Sequence, residues 1–257
     1  MDMSEKGNGE SDLSHVYLTS ILHGKLDEIA AWKEKKQSQD LIDSISDGLI
    51  FYIKQLRKFK SGPKRAKEVH RVIDSLMDRE LKNKPELAKQ IQCKKGCSFC
   101  CHQIQIVSQD EAMLLAKRAE NLNIDLDLLE QQSNFGNDVS DVRTDKINET
   151  EWFKQPFEKS KCVFLNEKKE CMVYEDRPTS CRVYNVISPP KECSPEKSGI
   201  YVAQVFLLNA QVLASASLNL QKDPSKTGAA AGYLPHMLTK FLKKKKRQKI
   251  DKGENVR

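Results

Sequence analysis

The sequence predicts a mainly α fold: a small helical domain with an irregular, cysteine-rich metal-binding region. Three observations carry that expectation. Apolar residues recur at helical spacing over several long segments. The stretch CKKGCSFCCHQ, Cys93 to Gln103, packs four thiols and an imidazole into a few residues. From 151 to 193, Pro, Lys and Cys interrupt every periodicity, which suits chain folded around an inorganic centre.

The elements follow in order. Residues 1–12 are polar and read as a disordered lead. From about 14 to 36, Val16, Leu18, Ile21, Leu22, Leu26, Ile29 and Ala30 keep helical spacing. A second helix fits 40–59, with Leu41, Ile45, Leu49, Ile50, Ile53 and Leu56 on one stripe. Ser61-Gly62-Pro63 breaks it, and a third helix covers about 64–82. A short helix, 86–91, then delivers the chain to Cys93. Past the cluster, Ile104–Val107 fits a short strand, and SQDE at 108–111 has the capping-box pattern, with Ser108 as the cap of a helix over 109–121. Residues 131–150 read as a polar loop. Ser194 and Pro195 fit a helix start. The apolar segment 199–218 fits a buried helix, although its Val and Ile content also suits a strand. A last helix, 233–249, runs into lysines. The expected organisation is a lead (1–12), an N-terminal helical region (13–89), a cysteine-cluster metal-binding domain with C-terminal helices (90–239) and a basic tail (240–257).

Charge and hydropathy narrow the class. The net charge of +7 comes from the tail, because residues 240–257 carry nine Lys or Arg against two acids, leaving 34 of each sign elsewhere. The body is therefore neutral. Weak contact of the tail with nucleic acid or anionic lipid is an expectation, since lysine runs attract phosphates. No apolar run has the 18 or so residues that a membrane helix needs. The first residues have neither a basic nor an apolar region of a secretory signal. A cytoplasmic, reducing location is expected.

In a reducing compartment, clustered cysteines bind metal or do redox work more often than they form disulfides. All eight, Cys93, Cys97, Cys100, Cys101, Cys162, Cys171, Cys181 and Cys193, lie in the middle of the chain. Soft thiolates select zinc, iron–sulfur clusters or Cu(I). Short Cys-x₂₋₄-Cys knuckles give a tetrahedral ion two of its four ligands from one turn, and Cys93, Cys97 and Cys100 have such spacings. Gly96 allows a tight turn that lets amides face the sulfurs. Cys100 and Cys101 are neighbours whose side chains diverge in extended chain, so they can serve different centres. Eight thiolates fill two four-coordinate sites or one site with spares. His102 is a further candidate ligand.

The downstream segment, KCVFLNEKKECMVYEDRPTSCRVY at 161–184, completes a pattern. Together with Cys93, Cys97, Cys100 and Cys101, the cysteines 162, 171 and 181, the Val163-Phe164-Leu165 run, Tyr174, Arg177-Pro178 and Arg182 closely resemble the YkgJ-type cysteine-cluster family of zinc- or iron-chelating domains. The resemblance covers roughly 90–195, and Cys193 is the cysteine it supports least. It implies a chelated zinc or iron, or an iron–sulfur cluster, and no particular reaction. Flagellin lysine N-methylases look like relatives, but nothing further in this chain matches a methylase.

Buried four-thiolate zinc would carry about two excess negative charges, which must be compensated. Arg177 and Arg182 are placed for this beside Cys181, while Tyr174 and Tyr184 read as packing. Two enzymatic patterns are weaker. Cys93-x₃-Cys97-x₂-Cys100 matches the spacing of radical S-adenosylmethionine enzymes, yet helices precede it and no alternating strand–helix series follows. Ser61-x-x-Lys64 and Lys226-Thr227-Gly228 echo penicillin-binding enzymes without the Ser-Asp-Asn element.

Overall fold

The computed structural model describes residues 39–134, 138–139, 155–194, 203–205, 207–218, 220 and 231–251, with backbone alone for 39–47, 138–139 and 245–251. The expected lead and the helix over 14–36 lie outside these residues, as do residues 140–154. The described chain is mainly helical, with nine α-helices among the described residues and little sheet.

α1 (Gln39–Arg57) and α2 (Pro63–Lys82) form the first pair. Between them Gly62 adopts φ +132°, a conformation that side chains other than glycine's rarely enter. Pro63 then starts α2, where a missing N–H costs nothing. α3 (Pro85–Gln90) leads to the cysteine loop and a 3₁₀ turn, Phe99–His102. β1 (Ile106–Ser108) runs straight into α4 (Gln109–Ala119). The capping box forms as expected: Ser108 Oγ accepts the Glu111 N–H and the Glu111 carboxylate accepts the Ser108 N–H.

α5 (Leu126–Ser133) is a helix where the sequence suggested that a loop begins at 131. Asp125 caps it by accepting the Leu128 N–H at 2.9 Å, and Leu128 and Leu129 are buried. After β2 (Asp138–Val139), the region 155–194 holds only short pieces: α6 (Phe157–Ser160), α7 (Thr179–Val183) and 3₁₀ turns at Tyr174–Asp176 and Pro190–Cys193. Ser194 is the C-cap of that last turn, and the helix start expected at Pro195 lies outside the described residues.

The segment expected as one helix over 199–218 is divided. Among its described residues, only α8 (Leu208–Ser217) is helical. Residues 203–205 instead pair with 185–187: the Val205 N–H donates to the Asn185 carbonyl at 2.7 Å and the Ile187 N–H to the Ala203 carbonyl at 3.0 Å. The Val and Ile content thus speaks for strand-like pairing in this half. β3 (Ala231–Tyr233) is central in a three-stranded antiparallel sheet, order β1-β3-β2, and α9 (Leu234–Asp251) follows it directly.

Two apolar cores result. The first joins Leu49, Ile53 and Leu56 of α1 with Val69, Val72 and Ile73 of α2 and Ala210, Val212 and Leu213 of α8. It spans both sides of residue 89. The second joins Ala112, Leu115 and Ala116 of α4 with Leu128 and Leu129 of α5 and Met237, Leu238 and Phe241 of α9. Val163, Phe164 and Val173 extend it under the cysteine region, with Cys162 and Cys171 packed against its edge. α2 touches α4, α7 and α8, so it links both cores to the cysteines. A buried ion pair, Arg65 to Asp110 at 2.5 Å, fixes α2 on α4, and the same carboxylate accepts the Gly62 N–H at 2.7 Å.

Candidate metal centre

Three pieces of chain bring the cysteines together. The first runs from Cys93 through the 3₁₀ turn at Phe99–His102. Its bend is closed by the Cys97 N–H donating to the Lys94 carbonyl at 3.0 Å, around Gly96 at φ +90°. Glycine is needed there for the turn itself. Cys100 and Cys101 sit side by side in the 3₁₀ turn.

The second piece is a small hairpin from Cys162 to Cys171. Leu165 bridges Cys171, and the Met172 N–H donates to the Phe164 carbonyl at 2.8 Å. At its tip Asn166 accepts the Glu170 N–H at 2.8 Å, and Lys169 takes a positive φ of 59°. The hairpin is tied to the first piece by the Cys162 N–H, which donates to the Cys101 carbonyl at 2.7 Å. The two cysteine segments therefore meet.

The third piece carries Cys181 on α7 and Cys193 in the turn Pro190–Cys193. That turn packs on Phe99–His102, and Cys193 is buried. Val186, between them, reaches back to Cys93: its N–H donates to the Cys93 sulfur at 3.3 Å, and its carbonyl accepts the Gln92 N–H at 2.9 Å.

Backbone amides face several sulfurs. The N–H groups of Phe99, Phe164 and Val173 are hydrogen-bonded to Cys97, Cys162 and Cys171, in each case two residues downstream. Such bonds favour the thiolate form, the form that ligates metal. Against them stands the cost of burying charge. Burial pushes the Cys93 and Cys97 thiols up, Cys162 to about 12 and Cys193 to about 11, and raises Cys171 and Cys181 as well. Cys100 is raised as well, by its hydrogen bond to Cys101 and then by burial. Cys100 also pushes up Cys93, Cys97, Cys162, Cys171, Cys181 and Cys193, so it stands at the electrostatic centre of the group.

The two arginines divide their roles. The Arg177 guanidinium lies 4.1 Å from the Tyr174 ring centroid, and its charge favours the thiolates of Cys93, Cys100 and Cys171. Arg182 is buried and occupied elsewhere: it donates to Asp74 Oδ2 at 2.6 Å, to the Arg177 carbonyl at 2.9 Å and to the Glu175 carbonyl. It clamps the loop that presents Arg177 onto α2. Compensation of thiolate charge thus falls to Arg177, with Lys94 acting on Cys97, and Arg182 supports Arg177.

His102 is buried and stacked on Phe157, ring centroids 3.7 Å apart, with Nδ1 at 3.3 Å from the Phe157 carbonyl and 3.4 Å from Ser160 Oγ. Tyr184 is held by the side chains of Gln103 and Gln204.

Sequence reasoning placed Glu111 only as a helix cap. Its carboxylate also accepts the Thr179 N–H at 2.6 Å and contacts His70 Nε2 at 3.1 Å, so α4, α2 and the start of the Cys181 helix share one buried acid. Burial alone would raise its pKa; the hydrogen bond and charge of His70, with the Ser108 and Thr179 amides, outweigh that and lower it. The capping-box motif signalled half of this role, and the other half depends on contacts remote in sequence.

All eight cysteines are free thiols. Among the described residues, no three Cys, His, Asp or Glu side chains are already gathered as a metal-ion site. The donor set nevertheless fits zinc or iron: uncommitted thiols from three chain segments, amides aimed at sulfur, and a guanidinium beside them. No helix among the described residues is long and apolar enough to cross a membrane.

No curated protein and no solved structure matches the chain significantly. Residues 92–198, the segment holding every cysteine, match the model of the CxxCxxCC family, described as "Putative zinc- or iron-chelating domain".

Proposed function

We propose that this region chelates zinc or iron, as single ions or an iron–sulfur cluster, through Cys93, Cys97, Cys100, Cys101, Cys162, Cys171, Cys181 and Cys193, in a reducing cytoplasm. One observation carries the reading: thiols from three separate chain segments are drawn together, the Cys162 N–H bonded to the Cys101 carbonyl, the Val186 N–H to the Cys93 sulfur, and the Cys193 turn packed on Phe99–His102. Bound metal would supply positive charge there and displace the thiol protons. Arg177 would offset the excess negative charge of the loaded site, and the amides of Val186, Phe99, Phe164 and Val173 would orient the sulfurs.

Whether chemistry accompanies chelation turns on ligand saturation, because a closed four-thiolate site is structural and an open position invites reaction. A radical S-adenosylmethionine enzyme would need an α/β barrel, and the described residues form helices with one small antiparallel sheet. Anaerobic purification followed by elemental analysis and a visible absorption spectrum tests the proposal. Stoichiometric zinc without colour, or iron with thiolate charge-transfer bands, supports it. Metal-free, colourless and folded protein refutes it.

The basic end of α9 supports a second, minor activity, weak contact with polyanions. Its first half buries Leu234, Met237, Leu238 and Phe241 in the core, so little apolar face is left for lipid, whereas Lys243 and Lys244 are exposed. Deleting 243–257 should lower retention on a polyanion column without changing metal content; unchanged retention removes the tail as a binding element.

A further inference from the structure

The short helix that carries Cys181 is held at both ends by side chains of the helical frame, not by the other cysteine segments. We propose that Glu111, with His70 behind it, is a positioning residue for Cys181, seating α7 on α2 and α4 so that this thiol is in place before metal arrives. This rests on the chelation reading and names the part of the site that stands ready without metal.

Glu111 is buried in the first turn of α4, and both of its carboxylate oxygens are used. Oε2 accepts the Ser108 N–H at 2.9 Å, which orients the carboxylate through the capping box. Oε1 accepts the Thr179 N–H at 2.6 Å and lies 3.1 Å from His70 Nε2. A carboxylate donates nothing, so the imidazole carries a proton on Nε2. His70 is itself buried, and its Nδ1 has no hydrogen-bond partner among the described residues, so Glu111 is what the ring is turned toward. Thr179 opens α7 after Pro178, and its amide is one of those a helix leaves without an internal partner. Thr179 is almost fully buried, so that N–H would be costly to leave unpaired.

The other end of α7 is fixed from the same helix. Arg182, next to Cys181, donates to Asp74 Oδ2 at 2.6 Å, and Asp74 lies one turn beyond His70 on α2. Neighbouring turns of α2 thus hold α7 at its start and its end, and Val69, Val72 and Ile73 anchor those turns in the first apolar core. α7 also packs on β1 and α8. The backbone of the loop 93–102 is bonded instead within its own turns, Cys97 to Lys94 and Cys101 to Ser98, and to Cys162 of the hairpin. Cys181 therefore belongs to the frame, whereas the loop is the part that metal would order. A ligand fixed beforehand loses less freedom when the metal binds, and partners of this kind orient the groups that touch the ion.

The test uses the full chain, reduced, stripped of metal and reloaded anaerobically with Co²⁺ as a zinc probe. Two variants separate the amide of Thr179 from its side chain. Thr179→Pro deletes the N–H that Glu111 accepts, and proline suits the first position of a helix after an extended residue. Thr179→Ala keeps that N–H. Thr179→Pro should bind Co²⁺ about 10–100-fold more weakly than Thr179→Ala, with altered thiolate-to-cobalt absorption bands. Equal affinity and identical bands in the two variants would overturn the positioning role while leaving chelation standing. No Co²⁺ uptake by the unaltered chain would overturn chelation itself. Hydrogen exchange gives a second reading that needs no variant: in the stripped, unaltered chain the amides of 179–183 should stay protected while those of 93–102 exchange. Exchange of 179–183 as fast as that of 93–102 would overturn the assignment, and this reading decides should Thr179→Pro fail to fold.

Discussion

The helical core and the cysteine region of this chain are held together by different forces. In the first, α1, α2 and α8 bury Leu49, Ile53, Leu56, Ile73 and Leu213 almost completely, and removing apolar surface from water stabilises them without help. In the second, only His102 is buried between Cys93 and Gln103, and regular structure shrinks to short turns. Its frame is a set of backbone bonds such as Cys162 to Cys101 and Val186 to Cys93, the Arg182 clamp and a crowd of thiols. A folded chain can leave a segment so poor in apolar burial when a bound metal contributes the missing free energy.

That contrast can be broken at several points, and the largest effect belongs to the thiols. Cys100→Ser should lower metal content and stability together, since structural zinc contributes on the order of 10–16 kcal/mol of apparent binding free energy. Elemental analysis and a denaturant titration on the same preparation check this, and unchanged stoichiometry would count against it. Next comes Ile73→Ala in the first core. It should cost about 2–5 kcal/mol in urea unfolding while leaving metal stoichiometry as it was.

Glu111 stands where the regions join, and its effect should depend on pH. Its pKa is lower in the folded chain than in the unfolded one. Its stabilisation is therefore complete above the ordinary carboxylate value of about 4.3 and fades as pH falls through the folded value. Unfolding measured from pH 7 to pH 3 should show a shallower acid loss in Glu111→Gln than in the native chain, and parallel curves would contradict this. The smallest change is Lys169→Gly. Lys169 holds φ 59° at the hairpin tip, so glycine there should raise stability by at most about 1 kcal/mol, seen as a slightly higher Tm.

What the sequence disclosed follows the same boundary. Helices with their own signals were legible: the stripe of α1, Pro63 before α2, and Ser108 with Glu111 at α4 came out within one or two residues of the observed ends. The clustering of thiols was legible too, because ligand chemistry depends on residue type and spacing. Pairings between distant segments were not. Nothing local announces that Val205 bonds Asn185, that Ala231-Gly232-Tyr233 is the central strand, or that Val186 donates to Cys93. Arg177 and Arg182 looked equivalent in the motif, and only the partner of Arg182, Asp74 on α2, separated them. α5 was missed because eight residues with two buried leucines give a weak period.

The most direct test is hydrogen exchange, read segment by segment, on the metal-loaded chain and again after the metal is stripped under reducing conditions. The account predicts that 93–102 loses protection on stripping while α2 and α8 keep theirs. Protection of 93–102 that is the same with and without metal would contradict it.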